Sequence, residues 1–223
     1  MTELATKLSH TFADYVAMDA ASETKHEFVN GEIFAMSGGT PEHSRLSVNV
    51  QAELRSALRG RPCVTFNSDL RVRVLATGLG TYPDASVVCG RLEVDPEDKN
   101  TVTNPAVIVE VLSDSTESYD RDDKRAHYRQ IPSLRDYLLV SQHERRVDHY
   151  HRNDDGTWTL RDVRAGGEVR LDSIGCQIAV DAIYDDPLAT VAPPVTMGGD
   201  PPKPPAGVAQ PSRPKRVSRP KRA

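Results

Sequence analysis

A chain of 223 residues with 38% hydrophobic content can build one sizeable core, and its formal charge of −4 is unevenly distributed. From Val191 to Ala223 seven Lys or Arg stand against Asp200, a net of +6, which leaves 21 basic and 31 acidic residues, a net of −10, in the body. Nothing approaches the ~18 apolar residues of a membrane span, and MTELATKLSH lacks the apolar stretch of a signal peptide, so a cytoplasmic protein with no membrane partner is expected. Cys63, Cys89 and Cys176 are odd in number and include no CxxC pair, which indicates neither a disulfide framework nor a zinc site, so buried thiols are expected.

In chain order, Leu8 to Met18 reads as a short amphipathic helix, and Glu27 to Met36 reads as a hairpin about the Asn30-Gly31 turn. Leu46, Val50, Leu54 and Leu58 recur at a spacing of four, which marks one face of a helix from Thr40 that stops at Gly60. Strands are expected at Cys63 to Val74, Tyr82 to Cys89 and Ala106 to Leu112, then a helix from about Ser118 to Ile131. Runs beginning at Asp136, Arg146 and Trp158 supply three more strands. The last 33 residues hold nine of the 16 prolines and few large apolar side chains, so a globular domain over 8–187 is expected to end in a disordered basic tail over 188–223. That tail is either a nucleic-acid arm acting through charge or a solvated segment without a partner.

The run AVIVEVL does not alternate, as in a central strand covered on both faces, yet it contains Glu110. A carboxylate in such surroundings needs a partner. Asp84, just after Pro83 at the start of the preceding strand, lets the two acids share a divalent cation; a buried Arg or Lys, or a turn towards solvent, would also satisfy Glu110. Lys124, Tyr128 and Ile131 fall on one stripe of the following helix, so Lys124 either faces the acids or packs its stem while its head reaches water. Facing the acids, it would suit phosphodiester hydrolysis by orienting or helping to deprotonate a water and by stabilising charge on phosphorus oxygens.

The order YPD, EVL and a helical Lys resembles the PD-(D/E)XK nuclease superfamily. The segments HEFVNGEIFAMSGGTPEHS, FNSDLRVRV, TYPDASVVCG, NPAVIVEVLSDST and YDRDDKRAHYRQIPSLRDYLLV resemble its Uma-two branch of restriction endonucleases, from about Tyr15 to Tyr184. The resemblance implies an α/β, restriction-endonuclease-like fold, a mixed central β-sheet flanked by helices. It makes Asp84 the aspartate of PD and Glu110 the acid of (D/E)XK, both metal ligands, and maps the lysine onto Lys124, because Leu112 stands where that lysine would normally be. Glu27 matches a recurrent acidic position and is a candidate further ligand; His43 either contacts phosphate or, as preferred here, caps the turn.

The expected function is therefore a Mg²⁺- or Mn²⁺-dependent endonuclease acting on DNA, with RNA and a homodimer left open. The alternative is a catalytically silent nuclease-like module that binds nucleic acid or a protein partner. An acidic body must then attract DNA either through the tail or through a local patch such as Arg45, Arg55, Arg59, Arg71 and Arg73.

Overall fold

The computed structural model describes residues 9–189. Helix α1 (Phe12–Ala20) starts at a capping box in which Thr11 and Asp14 satisfy each other's backbone N–H groups, and it buries Phe12 and Tyr15. Strands β1 (His26–Val29) and β2 (Glu32–Ala35) form the expected hairpin, with Asn30 and Gly31 both at positive φ as its turn demands. Helix α2 (Pro41–Ala57) is capped by Thr40, whose hydroxyl accepts from His43 N, and it buries Leu46, Val50 and Leu54.

Next come β3 (Cys63–Asn67), β4 (Arg71–Val74), β5 (Leu79–Thr81), β6 (Ala85–Cys89), β7 (Thr101–Val102) and β8 (Val107–Val111). The one strand expected from Cys63 to Val74 is thus two, because Asn67 and Asp69 build a tight turn: Leu70 N donates to Asn67 O at 3.2 Å and Asp69 N to Asn67 Oδ1 at 3.1 Å. A helical segment follows as α3 (Glu117–Tyr119), a π-helical turn (Asp120–Lys124) and α4 (Arg125–Tyr128), ending ahead of Pro132. Strands β9 (Asp136–Val140), β10 (Arg146–Arg152) and β11 (Trp158–Arg164) precede a ribbon of β12 (Glu168–Leu171) and β13 (Cys176–Ala179), with a 3₁₀ turn (Asp172–Ile174) between them, and α5 (Val180–Ile183).

The fold is mixed α/β. Its main sheet runs β11-β10-β9-β8-β6-β3, with β8 and β9 parallel and the other pairs antiparallel. A second sheet runs β2-β1-β5-β4-β7. Val107, Val109, Val111, Leu138 and Val140 point from the main sheet into a core shared with α2, the β12–β13 ribbon and α5. Ile108, Tyr137 and Leu139 point the other way, towards Tyr128 and Ile131 of the helical segment and Val72, Val74 and Leu79 of the second sheet. The central strand is therefore covered on both faces, and β8 is buried at every position. Gly80 lets α1 approach, since a Cβ there would lie 2.9 Å from the rings of both Phe12 and Tyr15.

The cysteine expectation needs correction. Cys63 and Cys89 are direct partners across the antiparallel β3–β6 pair and form a disulfide, a pairing that depends on strand register and not on sequence spacing. Cys176 is a free thiol. Among the described residues no helix is long and apolar enough to cross a membrane. The basic tail and the start of the first expected helix at Leu8 lie outside the described residues.

Candidate active site

Glu110 extends from β8, one residue before its end, on the face that looks towards the helical segment. Its partner is Lys124, whose Nζ lies 3.1 Å from Glu110 Oε1, 3.0 Å from Glu27 Oε1 and 3.3 Å from Asp120 Oδ1. Glu110 and Lys124 are 4% and 5% exposed, so these pairs are shielded from water. Tyr128 donates its hydroxyl to Glu110 Oε1 at 2.8 Å, and Thr81 donates its hydroxyl to Glu27 Oε1. Sequence reasoning missed Asp120 and Thr81. Asp120 had a signal, since it precedes Lys124 by four residues just as Tyr128 follows it by four, and the π-helical turn between Asp120 and Lys124 is the kind of irregularity often found at functional sites.

Asp84 stands one residue before β6, where extension of the Ala85↔Val109 pairing sets it opposite Glu110. Its Oδ2 accepts from Val111 N at 2.7 Å and lies 3.3 Å from His43 Nε2, while Gln51 donates to its backbone carbonyl at 3.0 Å. His43 thus both belongs to the capped first turn of α2 and touches Asp84, more than the capping role expected of it. Neither β6 nor β8 is an edge strand.

The electrostatics show a cluster short of positive charge. Burial, with Asp120 and Asp84 adding to it, pushes the Glu110 carboxyl up to about 8 against the opposing pull of Lys124 and Tyr128. Burial also raises Asp120, whose Oδ1 makes no hydrogen bond beyond the loosely placed ammonium. Lys124 moves in the sense opposite to what its burial alone would cause, held well above the usual lysine range by Glu110, Glu27 and Asp120. His43 is raised by its hydrogen bond to Asp84. Like charges at about 4 Å repel by roughly 4 kcal/mol at an effective dielectric of 20, and three ionised acids around one ammonium leave a net negative charge that a proton or a cation would reduce.

The local basic patch weighed as one of two sources of attraction does not form from the five arginines together. Arg71 is buried between Asp19 (2.5 Å) and Asp98 (2.6 Å), Arg73 binds Asp95 and Glu97, and Arg45 donates to Glu42 and to the Asp185 carbonyl. Only Arg55 and Arg59 of the five are exposed. The others alternate along strands or helix faces beside acids, which composition does not reveal.

Comparison with known proteins agrees with this architecture. Residues 12–181 match the family model Uma2, described as "Putative restriction endonuclease". Two uncharacterized proteins of Synechocystis are 41% identical over 174 residues, covering 77% of this chain and 89% of that protein, and 34% identical over 163 residues, covering 73% and 92%. A crystal structure from Anabaena variabilis, described as a putative nuclease belonging to DUF820, superposes with a TM-score of 0.61 at 17% identity over 73% of this chain and 91% of that one, a likeness of fold. With the family model spanning nearly all of the described residues and two relatives above 30% identity, the chain belongs to the Uma2 family.

Proposed function

We propose that the protein is a metal-dependent endonuclease that hydrolyses phosphodiester bonds of DNA, with Mg²⁺ or Mn²⁺ held by Asp84 and Glu110 and with Glu27 as a further ligand. The observation that carries the reading is the buried meeting of Glu110, Glu27 and Asp120 on Lys124, with Asp84 placed across the β6–β8 pair. The donor set fits a hard cation: it is all carboxylate, burial raises the Glu110 carboxyl so that it favours a proton where no cation is bound, and Asp120 Oδ1 is met by the Lys124 ammonium at 3.3 Å. Such an ion would polarise the scissile phosphate and lower the pKa of a bound water.

The protein's own groups divide the remaining work. Lys124 keeps its proton, so it acts by charge and hydrogen bonding, orienting the attacking water and stabilising the oxygens of the phosphorane-like transition state, not as a base. Tyr128 fixes Glu110 at Oε1, leaving Oε2 as the oxygen for a metal. Thr81 fixes Glu27, and the Val111 N–H with His43 fixes Asp84. With Arg45, Arg71 and Arg73 engaged by acids, attraction to DNA is carried by the +6 of residues 191–223 and by exposed arginines of the body, Arg55 and Arg59 among them.

The test is incubation of the full chain with supercoiled plasmid and Mn²⁺ or Mg²⁺, beside EDTA and beside Glu110→Gln. Nicking that both EDTA and the substitution abolish supports the proposal. Cleavage that survives EDTA overturns the metal mechanism, and DNA binding without cleavage in either metal makes the chain a binding module.

A further inference from the structure

On the opposite face of the main sheet lies a second cluster that the nuclease reading does not use. Asp136 opens β9, and His149 and His151 sit two apart on β10, so their side chains share one face; Asp136 pairs across the strands with His151. Glu110 pairs with Leu139, one step out of phase with Leu138 and Asp136, so the two clusters are on different sides of the sheet. His149 Nε2 and His151 Nδ1 both lie 2.7 Å from the same oxygen, Asp136 Oδ1. His149 and Asp136 are fully buried. Ser173, from the 3₁₀ turn, donates to Asp136 Oδ2, and burial of Asp136 is outweighed by the bonds from His149, Ser173 and His151, which keep the carboxyl below its ordinary range.

We propose that Asp136, His149 and His151 form a transition-metal site that binds Zn²⁺, separate from the carboxylate centre. Two imidazoles and one carboxylate are a borderline donor set that suits zinc and does not suit Mg²⁺. One ligand atom from each residue already lies within 4.8 Å of the other two. Tetrahedral zinc at about 2.0–2.1 Å from each ligand needs ligand atoms about 3.3 Å apart, an opening of roughly half an ångström between Asp136 Oδ1 and each imidazole nitrogen. The buried His149 Nδ1 has no hydrogen-bond partner among the described residues, so the ring is held through Nε2, the atom that faces Asp136. His149 also lines a cavity of about 290 Å³ with Arg161, Glu168, Arg170 and Asp172. Glu168 and Asp172 in that cavity are of the kind that accept the second N–H of a metal-bound imidazole. The fourth position is left to water, and the ion would tie β9 to β10 beneath the β12–β13 ribbon.

The test uses the full chain stripped with EDTA and then titrated with Zn²⁺ against a chromophoric chelator, in the wild type, Glu110→Gln and His151→Gln. His151 is the partly exposed ligand, 19% at its side chain, so its replacement disturbs packing least. Wild type and Glu110→Gln should each take one tight equivalent. In His151→Gln affinity should fall by more than the roughly 100-fold that loss of a supporting outer residue costs. Co²⁺ should give the visible absorption of a tetrahedral nitrogen and oxygen site in the wild type and in Glu110→Gln. No tight equivalent in the wild type, equal affinity in His151→Gln, or loss of the equivalent in Glu110→Gln would each overturn the proposal. If His151→Gln does not fold, the Co²⁺ spectra decide: a tetrahedral band that persists in Glu110→Gln supports the site, and its absence from either protein refutes it.

Discussion

Replacing Glu110 by Gln in metal-free protein should reverse part of its pH dependence. The carboxyl is raised from 4.5 to about 8, by burial first and then by Asp120 and Asp84, so the folded protein holds a proton that the unfolded chain releases. Because the folded value is the higher one, this contribution is fully present below about pH 4.5 and is lost as pH rises towards 8. At ~1.4 kcal/mol per unit, the wild type should lose about 3 kcal/mol of stability relative to Glu110→Gln between pH 4.5 and 7. Gln keeps the volume and carries no titrating proton. Urea unfolding of both proteins in EDTA at several pH values measures the difference. A gap that stays constant over that range would refute the reasoning, because Glu110 would then be ionised in the fold at all of them. Addition of Mn²⁺ should flatten the wild-type profile and leave that of the variant unchanged.

Lys124→Met should destabilise the protein by about 3–5 kcal/mol at neutral pH by leaving Glu27, Glu110 and Asp120 without their ammonium, and turnover should fall by about two to three orders of magnitude; denaturation and plasmid cleavage check both. His43 gains its raised value from Asp84, so stability from that pair is complete below His43's ordinary 6.5 and lost as pH rises through the folded value; Asp84→Asn should lower its titration midpoint in NMR, and an unmoved midpoint would dissociate the two. Cys63→Ser should cost about 3 kcal/mol under non-reducing conditions, for a bond spanning 26 residues, and nothing once both proteins are reduced. Truncation after Ala189 should weaken DNA binding and flatten the log–log salt slope by up to about 0.9 per lost phosphate contact, while turnover at saturating DNA persists.

The parts of this molecule legible in its sequence were those set by local pattern. VIVEV announced a strand buried on both faces with a carboxylate to be neutralised, and Lys124 with Tyr128 announced the helix stripe that reaches it. Asn30-Gly31 fixed the hairpin that carries Glu27. What stayed hidden depends on register between distant segments. The Cys63–Cys89 bond needs β3 and β6 aligned, and the alternating His149 and His151 find Asp136 only once β10 has paired with β9. Arg71 and Arg73 looked like a surface patch because their acids, Asp19, Asp98 and Asp95, come from other elements. Asp120 was masked by its neighbours in YDRDDK, where one acid of three turns inward.

The most direct measurement is the position of manganese in a crystal of the full chain soaked in Mn²⁺, located by anomalous scattering. The account predicts a peak held by the carboxylates of Asp84 and Glu110, with the Lys124 ammonium close by and the peak absent from Glu110→Gln. A chain that takes up no manganese there, with Glu110 still bonded only to Lys124 and Tyr128, would contradict it and leave the buried acid a structural ion pair.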